Sequence, residues 1–247
     1  MMSNVETRKS AAVPAIKDLV RAQYPKTHEM PFCHALKSGR FDRAEILRSE
    51  IVELYRALNT RGKIQEIYKQ KLRAARSEGV MSATEVAHIE EIIDDEGETE
   101  DHIDHLDMRF KLFVGTVISR KARLRHDPGL QAINDEWMSV CHDASLFELM
   151  ALTAAIEDWY APVSAFFEEE YRRRGFSEEE LELFIVHKDA DVDHSEAQFD
   201  VLERNRHRFD EKKMVAMLTR TFNTSRAYDA AKLRLAASNC KLADLVE

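Results

Sequence analysis

Apolar residues recur at three- and four-residue intervals along almost the whole chain, the period of α-helices that each bury one face. From Asp42, the positions Ile46, Leu47, Ile51, Leu54, Tyr55 and Leu58 predict a long helix, and the period resumes through Ile64, Ile67, Tyr68 and Leu72 after a break expected at Asn59 to Gly62. A first helix is expected from Pro14 to Gln23, stopped before Pro25, and MPFCHALKSGRF reads as a short helix closed by Gly39. Ser82 with Glu85, Ser145 with Glu148 and Ser177 with Glu180 have capping-box spacing, so each marks a helix start. The first of these helices carries Val86, Ile89, Ile92 and Ile93, and its period returns at Ile103, Leu106, Phe110 and Phe113 beyond Gly97. A glycine weakens a helix by about 1 kcal/mol relative to alanine, so this region is one weakened helix or two pieces. Asp127 and Pro128 start another short helix, Pro162 is expected to end or bend the helix opened at Ser145, and a last helix runs from about Asp210 to Ala237. The expected fold is all-α, one domain of roughly seven helices over residues 13–247, preceded by a flexible segment at residues 1–12.

Composition agrees with that reading. Only 7 Gly and 5 Pro in 247 residues leave too little punctuation for a many-stranded sheet, and 44% apolar content suits a globular core. No apolar run reaches the ~18 residues of a membrane span. The N-terminal MMSNVETRKS lacks the apolar stretch of a signal peptide, so a cytoplasmic location is expected. Cys33, Cys141 and Cys240 are odd in number and far apart, which suggests neither a disulfide framework nor a zinc knuckle, and Cys33 reads as a small core residue. Residues 90–109 hold ten acidic side chains against Arg109 alone, which accounts for the whole net charge of -9. With no basic face and no cationic amphipathic segment, neither nucleic acid nor an anionic membrane is an expected partner.

The chemistry-bearing segment is HKDADVDH. His187, Asp191 and His194 follow one another at steps of four and three residues, which puts all three on one helix face. Two imidazoles and a carboxylate in fixed relation suit a divalent transition metal. Glu157 lies in an Ala-rich apolar helix, with Ala154 and Ala161 on its face, where a carboxylate needs a cation, a metal or strong donors to stay charged. The segment DDEGETEDHIDH adds Asp95 and His102, two helical turns apart, with Glu91, Glu98 and His105 near the same face. Spacing alone does not choose among these.

The order of these motifs resembles the haem-oxygenase-like di-iron oxidase superfamily, and among its branches the CADD-like p-aminobenzoate synthases. The resembling features are the short early helix PFCHALKSG, a carboxylate seven residues before a histidine, a lone Glu in an Ala-rich helix and a final HxxxDxxH. Carried over position by position, the resemblance implies that Asp95, His102, Glu157, His187, Asp191 and His194 bind two iron ions, whose ferrous form reacts with dioxygen and oxidises a nearby substrate. It also implies a homodimer and admits an external electron donor. Family members usually carry Glu where this chain has Asp95, which keeps Glu91, Glu98 and His105 in reserve. The p-aminobenzoate makers share a lysine downstream of the lone Glu, whereas residues 158–170 hold none and Phe167 stands near that place, so that activity is not carried over. The substrate expected is a small amino-acid or carboxylic-acid-like molecule, with Lys37, Arg40 or Arg43 as candidates to hold its carboxylate. Two alternatives stay open. One is a metal-free enzyme resembling the thiaminase-like TenA group or the cofactorless pyrroloquinoline quinone synthase, and the other is a non-catalytic helical interaction protein.

Overall fold

The computed structural model describes residues 14–95 and 105–247. The expectations for residues 1–12 and for the interruption at Gly97 lie outside them. Among the described residues there are nine α-helices and no named strand: α1 (Ile16–Arg21), α2 (Pro31–Lys37), α3 (Arg43–Ser77), α4 (Ala83–Asp95), α5 (His105–Lys111), α6 (Pro128–Asp143), α7 (Leu146–Arg172), α8 (Glu182–Arg204) and α9 (Glu211–Ala236). The all-helical reading holds, with more pieces than the roughly seven expected. None of the helices is long and apolar enough to cross a membrane.

Helix starts follow the sequence signals closely. Asp42 caps α3 through the Glu45 N–H, and Glu45 returns a carboxylate to the Asp42 N–H. The same reciprocal bonds open α7 at Ser145 and Glu148 and α4 at Ser82 and Glu85. Each satisfies backbone donors that the first helical turn leaves without an intrahelical partner. Ser177 and Glu180 also form their box, but a turn follows it and α8 begins only at Glu182. Gly39, at φ 77°, takes the left-handed conformation that closes α2.

The break predicted at Asn59 to Gly62 is absent, and Pro162 does not end its helix. α3 runs unbroken for 35 residues through Asn59 to Gly62. There the Asn59 amide donates to the Tyr55 carbonyl and the Thr60 hydroxyl to the Arg56 carbonyl, both inside the turn of the helix. Burial of Leu54 and Tyr55 before the glycine and of Tyr68 and Leu72 after it outweighs the local cost of Gly62. α7 likewise continues past Pro162. Contacts hold the turn just before it: Arg21 grips Asp158 through two bonds of 2.8 and 2.7 Å, Tyr24 donates to the same carboxylate, and the Trp159 indole donates to the Pro25 carbonyl.

The most extensive pairing is α7 on α8, with α3 packed on α9 and α6, and α2 lying against α9. Phe32, Phe167, Tyr171, Phe176 and Phe184 form an aromatic cluster where α2, α7 and α8 meet. α5 is short but placed between layers, touching α3 on one side and α8 on the other. Cys33 and Cys141 are buried, as expected for core residues, and burial pushes the Cys33 thiol well above its usual range and the Cys141 thiol up to about 12.

Candidate metal centre and substrate cavity

A cavity of about 260 Å³ lies between α3, α5, α7, α8 and α9. His187 and Asp191 reach it from α8, Glu157 from α7 and His105 from α5. Asp191 is only 2% exposed, while Glu157, His105 and His187 are half-buried. His187 and Asp191, one turn apart on α8, thus both line the cavity, whereas His194, three residues further on, is not among its lining residues.

The histidine is oriented by its own helix. His187 Nδ1 lies 2.6 Å from the Leu183 carbonyl, and since a carbonyl only accepts, Nδ1 carries a proton, which in the neutral ring puts the lone pair on Nε2. A fixed tautomer of this kind is what ligating histidines need. The His105 ring meets His187 edge-on with centroids 4.4 Å apart, and Tyr160 closes the other side at 6.1 Å.

Glu157 sits at the head of a small polar relay. The Gln198 amide donates to it at 2.7 Å, while the Gln198 carbonyl accepts from the Tyr68 hydroxyl at 3.2 Å and from the Thr153 hydroxyl. Burial, and secondarily the charge of Glu157, holds the Tyr68 phenol well above its ordinary range, so Tyr68 remains a donor. This chain of bonds accounts for a carboxylate in an Ala-rich helix whose neighbours Ala154 and Ala161 are buried.

The rest of the expected ligand set divides. Glu98, His102 and the Asp95 side chain lie outside the described part of the chain. Glu91 is exposed and faces His88 on its own helix, at 3.9 Å. Among the described residues, no group of three or more His, Cys, Asp or Glu is gathered closely enough to hold a metal ion. The donors that do face the cavity fit such an ion in kind, being neutral imidazole with a fixed tautomer and carboxylate oxygen.

The cations assigned to a substrate carboxylate lie elsewhere. Lys37 and Arg40 are exposed at the end of α2, and Arg43 is engaged by Glu180 and by the Phe176 ring, 4.1 Å from its guanidinium. None of the three lines the cavity; Arg56, Arg61, Arg109 and Lys232 do. Glu50, fully buried, accepts from Lys232 Nζ at 2.6 Å and from the Tyr171 hydroxyl, with Arg109 at 3.5 Å. The Lys232 ammonium lies over the rings of Phe167 and Phe32, 4.4 and 4.9 Å from their centroids. Burial works to lower the Lys232 pKa, but Glu50 and Glu53 outweigh it and the net direction is up. Burial works to raise Glu53, and Arg56 beside it, with Lys232 and Arg109, draws its carboxyl down to about 2. These residues left one trace in the sequence: Glu50 falls at a position where the α3 period calls for an apolar residue.

Comparison with solved structures gives the fold a relative. Two crystal structures of a CADD-like protein of unknown function from Nostoc punctiforme match with TM-scores of 0.58 and 0.57, at 17% and 16% identity. The matches cover 94% and 89% of this chain and 96% and 92% of the other. The chain thus has a CADD-like, all-helical fold. No protein-family model matches it, and no curated protein does.

Proposed function

We propose that this protein is a non-haem di-iron oxidase or oxygenase with a haem-oxygenase-like fold, acting with dioxygen on a small amino-acid or carboxylic-acid-like substrate. The observation that carries this reading is that Glu157, His187, Asp191 and His105 all line one cavity that is otherwise mostly apolar. His187, Asp191, His194 and Glu157 would hold the metal together with Asp95 and His102, with Glu91, Glu98 and His105 as the reserve. Bound ferrous iron supplies the reaction with dioxygen that no side chain here offers. The chain's own part is to fix the His187 tautomer through Leu183, orient Glu157 through Gln198, and keep bulk water from the site with Ile92, Ile156 and Leu183. A homodimer and an external electron donor belong to the same proposal, as does a cytoplasmic setting.

Anaerobic ferrous titration of the wild type and of His187→Ala, followed by absorbance on admitting oxygen, tests it. The expected result is uptake approaching about two irons per chain and an oxygen-dependent band, both lost in the variant. A metal-free enzyme binding an organic substrate is the second reading. It is favoured by the absence, among the described residues, of a gathered trio of donors, and by the bond Glu157 already accepts from Gln198. Absence of specific iron uptake by either protein would decide for it.

A further inference from the structure

We infer that Arg109 is a carboxylate anchor, and that the cavity takes a monocarboxylate with an apolar or aromatic body and no ammonium group beside its acid. Arg109 is 6% exposed and lines the cavity, yet its guanidinium makes one hydrogen bond among the described residues, the long 3.5 Å approach to Glu50, and acts on Glu53 only through its charge. A guanidinium has five N–H donors, so most of this buried fork is uncommitted. Two more donors of the wall are in the same condition. The Trp137 indole N–H and the Gln65 side-chain N–H are buried without an acceptor. A ligand that satisfies such a wall must present acceptors, and an ionised carboxylate is acceptor-only and matches a guanidinium fork.

The anions at this end argue against an amino acid. Glu50 is committed to Lys232 and Tyr171, and Glu53 accepts from Arg56 Nε at 2.8 Å. Asp229 accepts from the Phe32 N–H at 2.8 Å and from the Cys33 thiol, and burial raises its carboxyl toward the neutral form. Among the described residues at this end, every carboxylate is thus engaged by a neighbour or, at Asp229, driven toward the neutral form. The apolar part of a ligand meets Trp159, Tyr160, Val163 and Phe167 instead.

α5 supplies the orientation. Arg109 is one turn beyond His105, about 6 Å along the helix axis, and both residues line the cavity. A carboxylate on Arg109 therefore places carbons a few bonds away against His105 and His187. Only this last step rests on the proposed function, because it takes the histidine end as the reacting end.

The test is calorimetric binding of 3-phenylpropanoate and of its uncharged primary amide to the full-length protein, with and without ferrous iron under anaerobic conditions. In the wild type the acid should bind about tenfold or more tightly than the amide, with or without iron. Arg109→Gln should erase that preference by weakening the acid far more than the amide, and Arg109→Lys should restore part of it, with circular dichroism reporting the fold. Equal binding of acid and amide, no binding of either, or a preference that appears only with iron would overturn the anchor. Should Arg109→Gln fail to fold, the wild-type acid-to-amide ratio without iron and the Arg109→Lys variant still decide. Failure here leaves the iron titration untouched, and failure of iron uptake leaves the anchor standing.

Discussion

The two ends of the cavity are both lined by polar side chains, but those side chains are spent differently. At the α8 end, His187 donates from Nδ1 to the Leu183 carbonyl and Glu157 accepts from Gln198, and both side chains line the cavity. At the α9 end, Glu50, Lys232, Glu53 and Arg56 largely neutralise one another. Buried charge alone therefore does not mark a reacting site. What separates the two is donor or acceptor capacity left over after the protein's own bonds, and Arg109 is the member of the second end that has it.

Several substitutions would break or sharpen this contrast. The largest effect is expected at the first end: His187→Ala should abolish iron uptake while moving the thermal midpoint little, since the residue is half-buried and its role is directed at a ligand. At the second end, Lys232→Met should leave Glu50 buried beside Arg109 alone and cost about 3–5 kcal/mol in urea unfolding. The paired change Lys232→Met with Glu50→Gln should recover much of that loss. Equal losses in the single and double variants would show that packing over Phe167, rather than charge pairing, is what Lys232 provides.

A pH dependence follows from Glu53. Its folded pKa of about 2 lies below the ordinary 4.5, so the unfolded chain takes up the proton first and acid favours unfolding. The stability it contributes, on the order of 3 kcal/mol, is complete above the ordinary value and disappears as pH falls toward 2. Urea midpoints between pH 6 and about 3 should fall less steeply in Glu53→Gln than in the wild type. A parallel pair of curves would remove Glu53 from the account. The smallest effect serves as a reference at an exposed position outside the cavity lining: Gly62→Ala, where an added Cβ meets nothing within 4 Å, should stabilise α3 by up to about 1 kcal/mol in the same assay.

Much of the helical frame was legible along the chain. The capping boxes at Ser82 and Ser145 open the helices they mark, and Asp210 caps α9 by accepting from the Lys212 and Lys213 N–H groups. The continuity of α3 through Gly62 and of α7 past Pro162 was not, because the local costs are met by burial and by contacts from α1 that belong to distant parts of the sequence. The donor face of α8 was legible for the same reason as the caps. Lys37, Arg40 and Arg43, candidates for a substrate carboxylate from the sequence, are turned by the fold to the surface or to other partners.

What the sequence by itself determined is whatever lies within one helix: where most helices start, which residues share a face, and that His187 and Asp191 point the same way. Backbone hydrogen bonding fixes those relations over a few residues whatever surrounds them. Tertiary structure decided what lies between helices. It alone placed Glu50 of α3, Arg109 of α5 and Lys232 of α9 at one end of a cavity whose other end holds His105, Glu157 and His187. Those meetings depend on which helix faces pack together, and no local period records that.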